Sequence, residues 1–95
     1  MTPEHRVAQA LIDAANKRGL FVRKLRWEGR VGAPDYVILT AGRAFFIETK
    51  APGETPRASQ CAEFARIGET GCPVTIVDSE FEATEAVSWI CEKYS

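Results

Sequence analysis

DYVILTAGRAFFIETK, residues 35–50, is the stretch that decides the fold. Residues 35–40 form a nearly unbroken apolar run opened by Asp35, the pattern of a strand buried on both faces. Ala41-Gly42 supplies a tight turn, and residues 43–50 return as a second strand. A hairpin centred between positions 41 and 42 brings Asp35 opposite residues 48–50. Glu48 and Lys50 are two apart, so on a strand they share a face, with Phe46 in the same row. A row that begins hydrophobic and ends in two charges is costly to bury unless the charges pair or bind metal.

The same reading extends in both directions. Upstream, Thr2-Pro3 has the form of an N-cap followed by proline at the first helical position. Val7, Ala8, Leu11, Ile12 and Ala15 then recur at helical spacing up to Gly19, a natural stop, which predicts a helix over 3–18. Residues 20–27, LFVRKLRW, read as a strand on which Phe21, Leu25 and Trp27 share one parity; these pack in the core or build a dimer interface, with core packing the favoured reading for Phe21. Residues 28–34 are a loop. Downstream, residues 51–56, APGETP, are turn chemistry. Thr55-Pro56 repeats the cap-plus-proline signal, and Cys61, Phe64, Ala65 and Gly68 predict the buried stripe of a second helix that ends near Gly71. Residues 73–77 are a short strand. Ser79 with Glu82 is a capping box, opening a third helix to about residue 93 with Phe81, Ala86, Val87 and Ile90 on its apolar side. The order α-β-β-β-α-β-α predicts an α/β fold: a three-strand meander, a parallel crossover through the second helix, and one mixed sheet flanked by helices.

The 95 residues argue for one domain, residues 1–95. At 45% hydrophobic and 26% charged, the composition is that of an ordinary globular protein. No apolar run is long enough to span a membrane and the N-terminus has no signal-peptide core, so a cytoplasmic, non-secreted protein is expected. Cys61, Cys72 and Cys91 are odd in number and include no close metal-binding pair, so free thiols in a reducing compartment are expected over a zinc site with His5. Residues 1–57 hold ten Lys/Arg against six Asp/Glu, a balance of +4, and residues 58–95 hold two against seven, −5. One reading is a basic half facing a polyanion; the other is ordinary surface charge.

Asp35 and Glu48 meeting at one end of a sheet would repel each other unless a cation neutralised them. A hard divalent cation suits such oxygen ligands, and Lys50 beside it is a positive point charge able to hold a phosphate or orient an attacking water. The bland alternative is a surface salt bridge at a strand edge. Glu4, in the first turn of the first helix, shares a face with Ala8 and Leu11; it is either a further acid of the site or a complement to the helix dipole. Gln60, beside the stripe of the second helix, is either a site residue or a solvated one.

Taken together, Gly32-Ala33-Pro34-Asp35, Phe46-Ile47-Glu48-Thr49-Lys50-Ala51-Pro52-Gly53, Ser59-Gln60 and Gly71 before PVTIV resemble the VRR-NUC domain, a branch of the PD-(D/E)xK nuclease superfamily with a restriction-endonuclease-like fold. The resemblance runs from Glu4 to about Asp78 and is specific as a combination. It implies that Asp35 and Glu48 bind Mg²⁺ or Mn²⁺, with the Thr49 main-chain carbonyl as a further ligand, and that Lys50 assists the nucleophilic water. The family's helix acid matches Glu4 and its glutamine matches Gln60. Position 49 departs mildly, since an apolar residue is common there; its side chain is expected to point away from the site, with little effect on chemistry.

The resemblance further implies a DNA endonuclease. Free-standing minimal members resemble Holliday-junction resolvases, which act as homodimers on branched DNA. Arg23, Lys24, Arg26 and Arg30, on or beside the first strand, and Arg57 on the other side of the site are candidates for phosphate contacts. The rival readings are a non-catalytic DNA-binding or assembly subunit with a nuclease fold, and a flap or nicking nuclease.

Overall fold

The computed structural model describes residues 1–94. Seven elements follow in the expected order: α1 (Pro3–Lys17), β1 (Phe21–Lys24), β2 (Tyr36–Thr40), β3 (Arg43–Thr49), α2 (Ala58–Glu69), β4 (Val74–Val77) and α3 (Glu80–Tyr94). The sheet runs β1-β2-β3-β4. The first two pairings are antiparallel, and β4 joins β3 in parallel after the α2 crossover. Tyr36 pairs with Ile47 and Thr40 with Arg43, the register of a hairpin centred between 41 and 42. Ala41 and Gly42 both take positive φ, 52° and 72°, as a tight two-residue turn between twisted strands requires.

One sheet face carries the main core. Val22, Tyr36, Ile38, Phe45, Ile47 and Val77 pack there against Val7, Leu11 and Ala15 of α1 and Ala83, Val87 and Ile90 of α3. The Thr2 hydroxyl accepts from His5 N–H at 3.1 Å, and Pro3 occupies the first turn, so α1 starts where the sequence indicates. The box at α3 is displaced by one residue on its return leg. Glu82 N–H donates to Ser79 Oγ at 3.0 Å, while the Glu82 carboxylate accepts from Asp78 N–H, also at 3.0 Å.

Several expectations need correction. β1 spans four residues, and its parity is reversed: Val22 faces the core and Phe21 is 45% exposed. Phe21 pairs with Leu39 on the opposite face, which α1 and α3 do not cover, and Arg23 lies over its ring at 4.0 Å. Leu39 is itself exposed, so only Tyr36, Val37 and Ile38 of β2 are buried. The cap of α2 is Arg57 rather than Thr55, because the Gln60 side-chain oxygen accepts the Arg57 N–H at 2.9 Å and closes the turn there. The buried stripe of α2 is Gln60, Glu63 and Phe64; Cys61, Ala65 and Gly68 are exposed. Polar side chains face inward on this helix because it packs on the charged end of the sheet. On α3, Val87 and Ile90 are buried as expected and Ala83 and Cys91 complete the stripe, while Phe81 lies off that face and is exposed. Among the described residues no helix is long and apolar enough to cross a membrane.

Candidate active site

The end of the hairpin opposite its turn gathers the charged residues. Asp35 immediately precedes β2, and its carbonyl accepts Leu25 N–H at 2.8 Å, which extends the ladder to β1. Lys50 immediately follows β3, anchored by its own N–H to Val77 O at 2.9 Å. Backbone pairing on both sides therefore sets these two positions before any side chain is considered.

The side chains then form one continuous network. Asp35 N–H donates to Glu48 Oε1 at 3.2 Å. Gln60 Nε2 donates to Glu48 Oε2 at 2.8 Å, and Lys50 Nζ reaches the same oxygen at 3.2 Å. Lys50 Nζ also donates to Gln60 Oε1 at 3.0 Å. Gln60 thus joins the acid and the lysine from α2, using both ends of its amide. The Glu48 side chain is 2% exposed and that of Lys50 13%, so this is a buried ion pair rather than a surface salt bridge. Burial pushes the Glu48 carboxyl above the ordinary glutamate range and the neighbouring Asp35 charge adds to it, while Lys50 and Gln60 pull it back.

Thr49 does not behave as the sequence suggests. Its side chain turns to Asp35: Oγ1 donates to Asp35 Oδ2 at 2.8 Å and the Thr49 N–H donates to the same oxygen at 3.1 Å. No feature of the sequence pattern marks this contact, because it depends on how β2 begins.

A cleft of about 630 Å³ opens beside Asp35 and Thr49, with Glu4, His5, Lys24 and Glu54 among its lining residues. Glu4 and Lys24 therefore border the site, Lys24 lying over the Tyr36 ring at 5.1 Å. Arg57 is tied to the network through its backbone N–H. Arg30 is instead engaged by Glu63, with Nε to Oε2 at 3.2 Å and Nη2 to Oε1 at 2.8 Å. The Arg30 guanidinium holds the Glu63 carboxyl below its ordinary range. Trp27 contributes to that lowering, although among the described residues its buried indole N–H meets no acceptor in hydrogen-bonding geometry. Arg23 folds onto β1, donating to Val22 O at 2.8 Å, and Arg26 is exposed in the following loop; neither joins the network.

Among the described residues no three His, Cys, Asp or Glu side chains group closely enough to hold a metal by themselves. Two adjacent carboxylates, one with a raised pKa, still fit a hard divalent ion, because Mg²⁺ takes one or two carboxylates and completes its shell with water and phosphate. The residues that would hold it are Asp35 and Glu48, with the Thr49 carbonyl as the expected third donor.

An antiparallel hairpin carrying Asp on one strand and Glu-x-Lys on the other, extended by a parallel strand and flanked by helices, defines a PD-(D/E)xK-type α/β domain. No family model matches the chain. Comparison with known proteins nonetheless gives its place. A solved "VRR_NUC domain" structure superposes with a TM-score of 0.80 and 33% identity, covering 100% of both chains. A "VRR_NUC domain protein" superposes with a TM-score of 0.74 over 96% of this chain and 89% of that one; at 14% identity it speaks for the fold alone. "Putative nuclease p44" of Acyrthosiphon pisum secondary endosymbiont phage 1 is 36% identical over 78 residues, 81% of this chain and 84% of that protein. The chain belongs to the VRR-NUC family.

Proposed function

We propose that this protein is a divalent-metal-dependent DNA endonuclease that hydrolyses phosphodiester bonds, working in the cytoplasm as a homodimer on branched DNA such as Holliday junctions. The observation that carries the reading is the convergence of Asp35, Glu48, Lys50 and Gln60 into one buried network beside an open cleft. Burying an acid and a lysine is a poor route to stability, since apolar residues of similar volume often do as well or better. Retaining both therefore points to chemistry. The family membership and the relative named as a nuclease support the same reading.

Mg²⁺ or Mn²⁺, when bound by Asp35 and Glu48, supplies charge neutralisation at the phosphate and a lowered pKa for water. The protein's own part follows from its hydrogen bonds. A lysine ammonium has three N–H donors. Two are used on Glu48 and Gln60, leaving one for a phosphate oxygen or the attacking water. Because Gln60 and Glu48 hold Nζ from two sides, little reorganisation is needed as charge develops on the phosphate. Hydrolysis then joins the water oxygen to phosphorus, breaks the bond to the leaving oxygen, and delivers a proton to that oxygen. Lys24 lines the cleft and is the basic side chain best placed for a flanking phosphate; Arg57, tied to the network through its backbone N–H, is a second candidate.

Cleavage of labelled four-way junction, flap, single strand and linear duplex tests the proposal, with Mg²⁺, Mn²⁺ or EDTA, beside Glu48→Ala and Lys50→Ala. Metal-dependent, symmetric cutting of the junction, lost in both variants, is the expected result. Absence of cutting on every substrate, with DNA binding intact in EDTA, would overturn it in favour of a binding subunit.

A further inference from the structure

Asp35 stands just outside β2, where strand pairing fixes its backbone but not its side chain. Both donors on its carboxylate come from Thr49, and both go to Oδ2: Oγ1 at 2.8 Å and the backbone N–H at 3.1 Å. Among the described residues Oδ1 accepts no hydrogen bond. Thr49 is itself 2% exposed, so its branched side chain has little rotational freedom and its hydroxyl is a fixed donor. Glu48 differs, since both of its oxygens are already engaged by Asp35 N–H, Gln60 and Lys50.

We infer that Thr49 is a positioning residue: its hydroxyl pins Asp35 by Oδ2 and so presents Oδ1 to the divalent cation. The inference rests on the metal-dependent reading above. It assigns to the Thr49 side chain a role distinct from that of its main-chain carbonyl. Groups that orient a metal ligand from behind typically matter 10- to 100-fold in metal affinity. Valine keeps the branched shape and the backbone N–H while removing only the hydroxyl, and serine keeps the hydroxyl.

Mn²⁺ binding to the DNA-free protein, measured by calorimetry for wild type, Thr49→Ser, Thr49→Val and Thr49→Ala, separates the outcomes. Thr49→Val is expected to bind Mn²⁺ about 10-fold or more weakly, with Thr49→Ser close to wild type. Its cleavage rate is expected to recover at saturating Mn²⁺, because the lysine and glutamate are untouched. Melting in EDTA shows whether Thr49→Val folds; if it does not, the contrast between Thr49→Ser and Thr49→Ala carries the test. Wild-type affinity in the hydroxyl-free variant, alongside metal-dependent cleavage, would overturn the role of Thr49 alone. A wild-type protein that neither binds Mn²⁺ nor cleaves would overturn the metal reading and this inference with it.

Discussion

At the scale of single residues, the centre of the protein is Glu48, an acid almost without solvent and held by three donors. Its raised pKa has a consequence for folding. In the unfolded chain the carboxyl titrates near its ordinary value of 4.5, whereas the folded protein keeps the proton to higher pH. The folded state thus binds more protons within that window, and stability falls as pH rises from the ordinary value through the raised one. Urea unfolding in EDTA should show this decline for wild type relative to Glu48→Gln; parallel pH profiles for the two proteins would contradict it. Lys50→Ala removes the cation from a buried carboxylate. Complete breakage of a buried pair costs about 3–5 kcal/mol, and with Lys50 partly solvated the expected loss is about 1–3 kcal/mol by denaturant titration. An unchanged midpoint would mean that the pair contributes nothing to the fold.

Single elements explain how those residues are delivered. The loop between β1 and β2 carries Asp35, and it is fastened to α2 at two points. Arg30 grips Glu63, and Gly32 lies so close to α2 that an added Cβ would sit 2.8 Å from the Ser59 carbonyl oxygen. Gly32 also has φ +93°, where an L side chain is strained. Gly32→Ala should therefore destabilise by about 1–3 kcal/mol and lower cleavage, since the contact is with backbone that cannot step aside. A variant that melts and cuts like wild type would rule out the close approach. The β2–β3 turn offers the opposite case. Ala41 occupies a left-handed conformation at φ 52° that asparagine tolerates better. Ala41→Asn is expected to stabilise by about 0.5–1 kcal/mol, read as a higher denaturation midpoint with cleavage unaltered.

For the molecule as a whole, the core and the site lie in different places on the same sheet. Leu11 of α1 is fully buried within the core that α1 forms with the sheet and α3. Leu11→Ala should cost about 2–5 kcal/mol. In a domain of this size about 1 kcal/mol shifts the melting temperature by roughly 4–8 °C, so thermal denaturation will register it plainly. The metal proposed above would bind at the other end. If the cation binds only the folded chain, Mn²⁺ at about 100 times its dissociation constant should add about 2.7 kcal/mol. The same addition should leave Asp35→Ala unmoved, and a matching gain in that variant would place the ion elsewhere.

The order of elements, the hairpin register and the meeting of Asp35 with Glu48 and Lys50 are local matters, legible because strand periodicity and a two-residue turn tie positions 35 and 48 together in the chain. The capped start of α1 is legible for the same reason. What the sequence left open depends on contacts between distant segments. Whether Phe21 or Val22 faced inward was decided by which sheet face α1 and α3 cover. That α2 buries Gln60 and Glu63 beside Phe64 was decided by the partners it meets, Glu48 and Lys50 at the charged sheet end for Gln60 and Arg30 of the β1–β2 loop for Glu63, since a buried polar group needs a polar partner. The turn of Thr49 toward Asp35 belongs to this second kind. Its hydroxyl finds an acceptor only after β2 and β3 have paired, so the residue that orients the aspartate is set by tertiary structure, while the aspartate itself is written in the chain.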